Sequence, residues 1–278
     1  MTNPQQPIGI FDSGIGGLTV LSEIRKACPN EHIIYFGDTA RVPYGSKSAR
    51  TITRFATEAI LFLLSFQVKL IVCACNTVSA LALPALQKQF KVPIINVIEP
   101  GVFGASQATR NNRIGVVGTR ATIGSKIYEQ YLHLKNPALL VHSIATPLLV
   151  PLVEEDWLDE PETASIITHY INPLIQEQID VLILGCTHYP LLKEAFLKVA
   201  GPNIQLIDSA FWTAKTTKEA LNRIAQTNEA LQGKIDFYFS DHGESFSHQA
   251  QKFLDFPVNH IHNVVMEEGS YLIASERA

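Results

Sequence analysis

Residues 70–82 read LIVCACNTVSALA and residues 181–192 read VLILGCTHYPLL. Each opens on an apolar run, Leu70-Ile71-Val72-Cys73 and Val181-Leu182-Ile183-Leu184, of a length that suits a strand covered on both faces, as in a parallel sheet. Each then passes through one small residue, Ala74 or Gly185, to a cysteine, a short polar stretch with threonine, and a helix-forming segment. Aligned on cysteine, Cys75-Asn76-Thr77 meets Cys186-Thr187-His188. The repeat predicts two similar α/β halves, each offering a cysteine at the carboxyl end of a strand, where open α/β sheets bind ligands. Two such ends facing each other across a cleft place two thiols on one substrate.

Outward from this pair, β-rich runs alternate with helix-length segments. Strands are predicted at Ile8–Phe11, Ile33–Phe36, Leu70–Cys73, Ile94–Val97, Ile114–Val117, Leu139–Ser143, Val181–Leu184, Ile204–Ile207 and Phe237–Phe239. Helices are predicted at Gly17–Ala27, Ala49–Ser65, Ser79–Phe90, Glu162–Glu177, Leu191–Val199 and Phe211–Ala225. This alternation argues for an α/β fold with largely parallel sheets. No low-complexity tract or Gly/Ser linker separates the parts, so the halves are expected to pack together.

The 278 residues are ample for a real core, and 46% hydrophobic with 17% charged residues is an ordinary globular composition. A net charge of −4 gives no argument for nucleic acid or an anionic membrane as partner. Residues 1–7 show no basic start followed by an apolar stretch, and the most apolar segment, 59–66, is too short to span a bilayer. A cytoplasmic location is expected, and with it four free thiols, Cys28, Cys73, Cys75 and Cys186. Cys73 and Cys75 are too close in an extended strand to pair. No metal site is expected: the Cys73/Cys75 pair has no second pair to complete it, and His260 and His262 have no evident partners.

Cys28 and Cys73 read as buried core thiols. Cys75 and Cys186 are each followed at once by polar residues, which marks a strand exit. A thiolate there gains from the dipole of the helix that follows, and a free thiol pKa of about 8.5 needs only a modest downward shift to serve as a base. Inverting a stereocentre needs a base on one face and an acid on the other. Two thiols in opposite protonation states meet that need in both directions, whereas covalent cysteine catalysis leaves the second thiol unexplained.

Three loops follow strands on the same side. Phe11-Asp12-Ser13-Gly14-Ile15-Gly16-Gly17 is not a dinucleotide loop, since Thr19 stands where GxGxxG requires glycine, and no Walker lysine follows. Ser13 and backbone amides there suit a carboxylate, Asp12 suits a proton partner or an ammonium group, and either is also a good helix cap. Gly37–Gly45 brings Pro43, Tyr44 and Gly45 to the same edge, with Asp38 able to pair with Arg41. Gly118–Thr122 offers Thr119 and its neighbours as hydroxyl donors or a cap. Glu154 and Glu155 follow Pro151 near a helical region.

The motifs Phe11–Leu18, Pro43-Tyr44-Gly45, Ala74-Cys75-Asn76-Thr77, Gly118–Thr122 and Gly185-Cys186-Thr187-His188-Tyr189-Pro190-Leu191 occur in one order. Together they resemble the glutamate racemases of bacterial cell-wall synthesis, within the aspartate/glutamate racemase family. The resemblance spans about residues 7–209, and its last motif is the most specific. It implies two flavodoxin-like α/β domains related by a pseudo-twofold, with the active site in the cleft between them. The expected division is 1–97 plus 208–278, carrying Cys75, and 98–207, carrying Cys186.

The resemblance further implies interconversion of L- and D-glutamate for peptidoglycan, with no pyridoxal phosphate, metal, nucleotide or other cofactor. Cys75 and Cys186 are then the acid/base thiols, with Asp12 supporting Cys75 and His188 supporting Cys186. Asp12, Ser13, Pro43, Tyr44, Gly45, Asn76, Thr77, Thr119, Thr122, Glu154, Thr187 and His188 hold substrate positions. Thr146 stands where relatives commonly carry cysteine. The expected assembly is a homodimer or a monomer–dimer equilibrium. Aspartate and hydantoin racemases and one-cysteine decarboxylases share the fold. A non-catalytic amino-acid-binding protein is the reading from a different class, and it would need no paired thiols.

Overall fold

The computed structural model describes residues 3–224, 227–228, 233–243, 246–258, 261–267 and 270–273. Their strands are β1 (Ile8–Asp12), β2 (Ile33–Gly37), β3 (Leu70–Cys73), β4 (Ile94–Asn96), β5 (Arg113–Gly118), β6 (Leu140–Ala145), β7 (Val181–Gly185), β8 (Gln205–Asp208), β9 (Ile235–Phe239), β10 (Ile261–Glu267) and β11 (Ser270–Ile273). They form two sheets, in the orders β11-β10-β9-β2-β1-β3-β4 and β6-β5-β7-β8. All pairings are parallel except β10 with β11. The buried, unbroken apolar runs of β3 and β7 follow from this, because a parallel strand is covered on both faces.

Numbered within its own sheet, each set of four consecutive strands (β1–β4 and β5–β8) lies in the order 2-1-3-4. Connections leave in opposite senses on either side of strand 1 in such a sheet, which opens a crevice at the carboxyl ends of strands 1 and 3. Cys75 follows strand 3 of the first sheet and Cys186 follows strand 3 of the second. The repeat seen in the sequence is therefore a repeat of topology. One buried apolar cluster runs from Ile8 and Ile10 through Val117 to Leu184 and Leu192, so the two sheets share a core.

All nine strands expected from the apolar runs are present. β10 and β11 are additions: Ile261–Glu267 (IHNVVME) mixes polar and apolar residues too freely to stand out. Of the two histidines weighed as ligands, His262 lies on β10 and His260 is outside the described residues. The segment expected as one helix from Ser79 begins earlier, at Asn76–Leu81, and restarts as Leu83–Leu86. Pro84 has no amide to extend the first helix, so it sits in the first turn of the second. Helices at Ile98–Ala108, Ile127–Lys135, Leu149–Glu154 and Phe246–Gln251 were not foreseen. The first contains Pro100, Gly101 and Gly104, and packing overrides that poor propensity: an added Cβ at Gly104 would lie 2.3 Å from Trp212 of the helix Ser209–Arg223.

At the amino ends of β2 and β3, away from the cleft, Lys69 and Glu31 form a fully buried ion pair, 2.6 Å from Nζ to Oε2. Lys69 also donates to the Pro4 carbonyl at 2.5 Å, and the Asn228 amide donates to Glu31 at 2.8 Å. The pair thus ties the start of the chain and the return from the second sheet to the edge of the first. Removing one member of such a pair strands the other charge in the core. Lys69→Met is expected to lower unfolding free energy by about 3 kcal/mol, read from urea denaturation midpoints.

Candidate active site

Between the carboxyl ends of the two sheets lies a cavity of about 310 Å³. Residues 13–14, 42–46 and 75–77 line it from one side, and Thr119, Arg120, Thr146, Pro147, Val150, Pro151, Glu154 and residues 186–188 from the other. Every site residue expected from the sequence lies on this wall except Asp12 and Thr122, which are buried behind it. Val42, Ser46, Arg120, Thr146, Pro147, Val150 and Pro151 are further wall residues that had been given no role. Val42 and Arg120 sat inside or beside quoted motifs, while Pro147, Val150 and Pro151 carried no local signal. All four cysteines are free. Among the described residues, no group of three or more His, Cys, Asp or Glu is placed to hold a metal ion.

Cys75 is the residue just before the helix Asn76–Leu81, with its thiol donating to Ser13 Oγ at 3.4 Å. The helix dipole was expected to lower this thiol. Instead burial, then the neighbouring Asp12 carboxyl, push it up to about 12, and the hydrogen bond to Ser13 and the helix amides do not offset them. Asp12 accepts the Gly14 amide at 2.9 Å on Oδ2, and its Oδ1 has no hydrogen-bond partner among the described residues. Burial raises its own pKa, against the pull of His188 and the amides of the loop. The Gly14 amide is thus turned inward to Asp12. Ser13 and Gly14 of this loop both line the cavity.

Cys186 has different company. Its sulfur lies 3.8 Å from His188 Nδ1, and His188 Nε2 lies 3.2 Å from Glu154 Oε1. Burial alone would strip the imidazole of its charge, but hydrogen bonds to Cys186 and Glu154 outweigh it and push the group up to about 10. An imidazolium beside a sulfur stabilises negative charge on that sulfur. Gly16 is required here: an added Cβ would lie 2.4 Å from His188 Nδ1 and 2.4 Å from Thr187 Oγ1. Thr19 Oγ1 donates to the Thr187 carbonyl at 2.9 Å, so the first loop is seated directly on the second thiol's loop.

Hydroxyls close the seam. Thr77, in the helix Asn76–Leu81 that follows β3, meets Thr119 at 3.0 Å and Thr122 at 3.4 Å, and Thr119 also caps its own helix through the Thr122 amide at 3.2 Å. Asn76 donates to Tyr128 Oη at 2.8 Å across the same seam. Tyr44 is held from behind. Its hydroxyl donates to Asp38, which also accepts Arg41 Nε at 2.9 and 2.7 Å and Ser240 Oγ at 2.8 Å. The Asp38–Arg41 pair foreseen in the sequence is therefore an anchor for the Pro43-Tyr44-Gly45 loop. Thr146, the departure from the family pattern, spends its hydroxyl on Tyr189 Oη at 2.6 Å.

The arrangement holds one thiol protonated and sets the other beside a cation, on one cavity. At pH 7 iodoacetamide is expected to label Cys186 well before Cys75, since the two are equally buried at 7% and 5% exposure and differ in charge environment. Peptide mapping of the time course checks this, and His188→Asn should narrow the preference. Because His188 is raised on folding, the stability it contributes is complete below its ordinary 6.5 and is lost as pH climbs through about 10. Urea midpoints against pH should show that loss in the wild type and not in His188→Asn.

Comparison with known proteins agrees with this geometry. The family model for Asp/Glu/Hydantoin racemases matches residues 8–217. The glutamate racemase of Geobacter metallireducens is 45% identical over 267 residues, covering 95% of this chain and 98% of that protein. The crystal structure of the Francisella tularensis glutamate racemase in complex with D-glutamate superposes with a TM-score of 0.89 at 37% identity, covering 94% of this chain and 98% of that one. The Bacillus anthracis glutamate racemase gives 0.91 at 39% identity, with the same coverage. Two topologically equivalent cysteines on one cavity, a family match over three-quarters of the sequence and near-full-length relatives lead to one conclusion: this chain belongs to the aspartate/glutamate/hydantoin racemase family.

Proposed function

We propose that this chain is a glutamate racemase that interconverts the L and D enantiomers by proton transfer between Cys186, Cys75 and the α-carbon, supplying D-glutamate for peptidoglycan. The observation that carries the reading is the pair of thiols on one cavity with opposite charge environments. In one direction the Cys186 thiolate takes the α-proton. The C–H bond breaks, an S–H bond forms, and the electron pair left on the α-carbon is delocalised into the carboxylate. The Cys75 S–H bond then breaks as its proton is delivered to the opposite face, leaving a thiolate at Cys75. The reverse reaction, or exchange with solvent, restores the resting state.

His188 and Glu154 balance the charge that comes and goes at Cys186, and Asp12 does so at Cys75. Ser13, Asn76, Thr77, Thr119 and Thr187 offer the hydroxyl and amide donors a dicarboxylate needs, while Pro43, Tyr44 and Gly45 form one wall. Thr122 acts from behind through Thr77 and Thr119. The scheme draws only on side chains of this chain. The relatives named as glutamate racemases, one of them solved with D-glutamate, support the choice of substrate.

The same proposal takes the two functional halves as 1–97 with 208–278 and 98–207. It places the protein in the cytoplasm, without a nucleic-acid partner, as a homodimer or a monomer–dimer equilibrium. No helix among the described residues is long and apolar enough to cross a membrane. Sedimentation velocity over a concentration series reads the assembly.

Incubation of each enantiomer in D₂O tests the mechanism. The wild type should bring deuterium to the α-carbon and erase optical activity from either side. Its kcat/KM should be equal in both directions, because enantiomers have equal free energy in water. Cys75→Ala and Cys186→Ala should each cut racemisation by at least about 10³-fold. Each should still exchange the α-proton of one enantiomer, and the two variants should act on opposite ones. Full racemisation by either variant, or no α-deuterium with the wild type, would falsify the two-thiol scheme.

A further inference from the structure

His188 is held on every side by a different part of the chain. Cys186 and Glu154 take its two ring nitrogens, and Gly16 lies close enough that an added Cβ would meet Nδ1. Asp12 faces it electrostatically. The remaining contact comes from far away in sequence. Phe253, in the turn after the helix Phe246–Gln251, meets the His188 ring with centroids 5.8 Å apart and planes at 89°. Both side chains are buried, at 7% exposure each. This is the edge-to-face geometry that aromatic pairs prefer.

The neighbouring residue makes a second contact with the same machinery. Lys252 Nζ lies 2.8 Å from Asp156 Oδ2, two residues beyond Glu154. Asp156 is in the left-handed backbone region, at φ 66°, so the turn that follows Glu154 has a defined and sharply bent path. Two adjacent side chains from the segment between β9 and β10, which belongs to the first sheet, therefore contact His188 and the turn just after Glu154. Phe253 meets the ring edge to face, and Lys252 pairs with the turn just after the carboxylate.

We propose that Phe253 and Lys252 form a clamp, supplied by the C-terminal segment, that positions the His188–Glu154 pair against Cys186. They are positioning residues: neither lines the cavity, and they act on the reacting proton only through His188. The clamp rests on the assignment of Cys186 as an acid/base thiol. Its energetic share in stability is small, because the Lys252–Asp156 pair is partly exposed and screened. Its effect is on alignment, where a displacement of an ångström is enough to change a rate greatly.

The test measures kcat, KM and the ratio of Cys186 to Cys75 alkylation rates in folded variants, with folding checked by circular dichroism and melting. Phe253→Ala should lower kcat about tenfold with KM nearly unchanged, and should lower the alkylation ratio, because only the Cys186 side loses its partner. Phe253→Leu, which keeps most of the volume but not the ring edge, should fall between. Lys252→Glu, set against Asp156, should also lower kcat and the ratio, and adding Asp156→Lys should restore both.

A folded Phe253→Ala enzyme with wild-type kcat and an unchanged ratio overturns the clamp. If that variant does not fold, the same result with Phe253→Leu, or a Lys252→Glu enzyme indistinguishable from wild type, overturns it instead. An equal change in labelling at Cys75 and Cys186, which leaves their ratio unaltered, would mean a general effect on the fold and also defeats it. The outcomes separate from those of the two-thiol scheme. If Cys186→Ala is inactive while the clamp variants are normal, only the clamp is lost; if Cys186→Ala racemises, the underlying assignment fails first.

Discussion

Two chemically identical groups can serve as acid and base in one step only if their surroundings make them different. In the two-thiol scheme proposed above, the different surroundings of Cys75 and Cys186 supply that difference. Burial, and then the Asp12 carboxyl beside it, disfavours a thiolate at Cys75, whereas the neighbour of Cys186 is the His188 imidazole, held up by Cys186 and Glu154. The two surroundings also interact, since Asp12 and His188 feel each other and Cys75 and Cys186 feel each other. Moving a proton from one side to the other therefore rewrites the charge balance of the whole cleft. Low effective dielectric in a buried site makes those interactions strong enough to matter.

The fold places the thiols where such a balance can exist. Each sheet repeats the strand order 2-1-3-4, and each cysteine follows strand 3, so both arrive at the crevice by the same route. Around the cavity the seam between the sheets is polar, made by Thr77 with Thr119 and Thr122, Asn76 with Tyr128, and Thr19 with the Thr187 carbonyl. Away from it the contact is apolar and continuous with the core. Apolar burial holds the halves together, and the directional bonds at the seam fix the orientation of the residues that face the ligand.

Support for the site is spread over the chain. Tyr44 depends on Asp38, which depends on Arg41 and on Ser240 near the end of β9. His188 depends on Gly16, Glu154 and Phe253. Residues within the first twenty and beyond 240 thus meet at one imidazole ring. If Phe253 and Lys252 act as the clamp proposed above, a small displacement of the C-terminal segment reaches His188 without any change in the groups that line the cavity.

The sequence alone determined strands β1 to β9, because short apolar runs alternating with helix-length segments have few other uses, but not β10 and β11, whose polar and apolar residues mix. It also determined the pair Cys75 and Cys186 and most of the wall, since Ser13, Tyr44, Asn76, Thr77, Thr119, Thr187 and His188 lie within a few residues of strand ends. Only the tertiary structure decided the electrostatic surroundings of the two thiols. The local signal at Cys75, a strand end before a helix, argued for an easily ionised thiol, and burial with Asp12 reversed it. The inward turn of the Gly14 amide, the apolar wall at Val150 and Pro151, and Phe253 on His188 were equally invisible. Desolvation and contacts between distant segments depend on what surrounds a group in space, and a linear sequence records only what precedes and follows it.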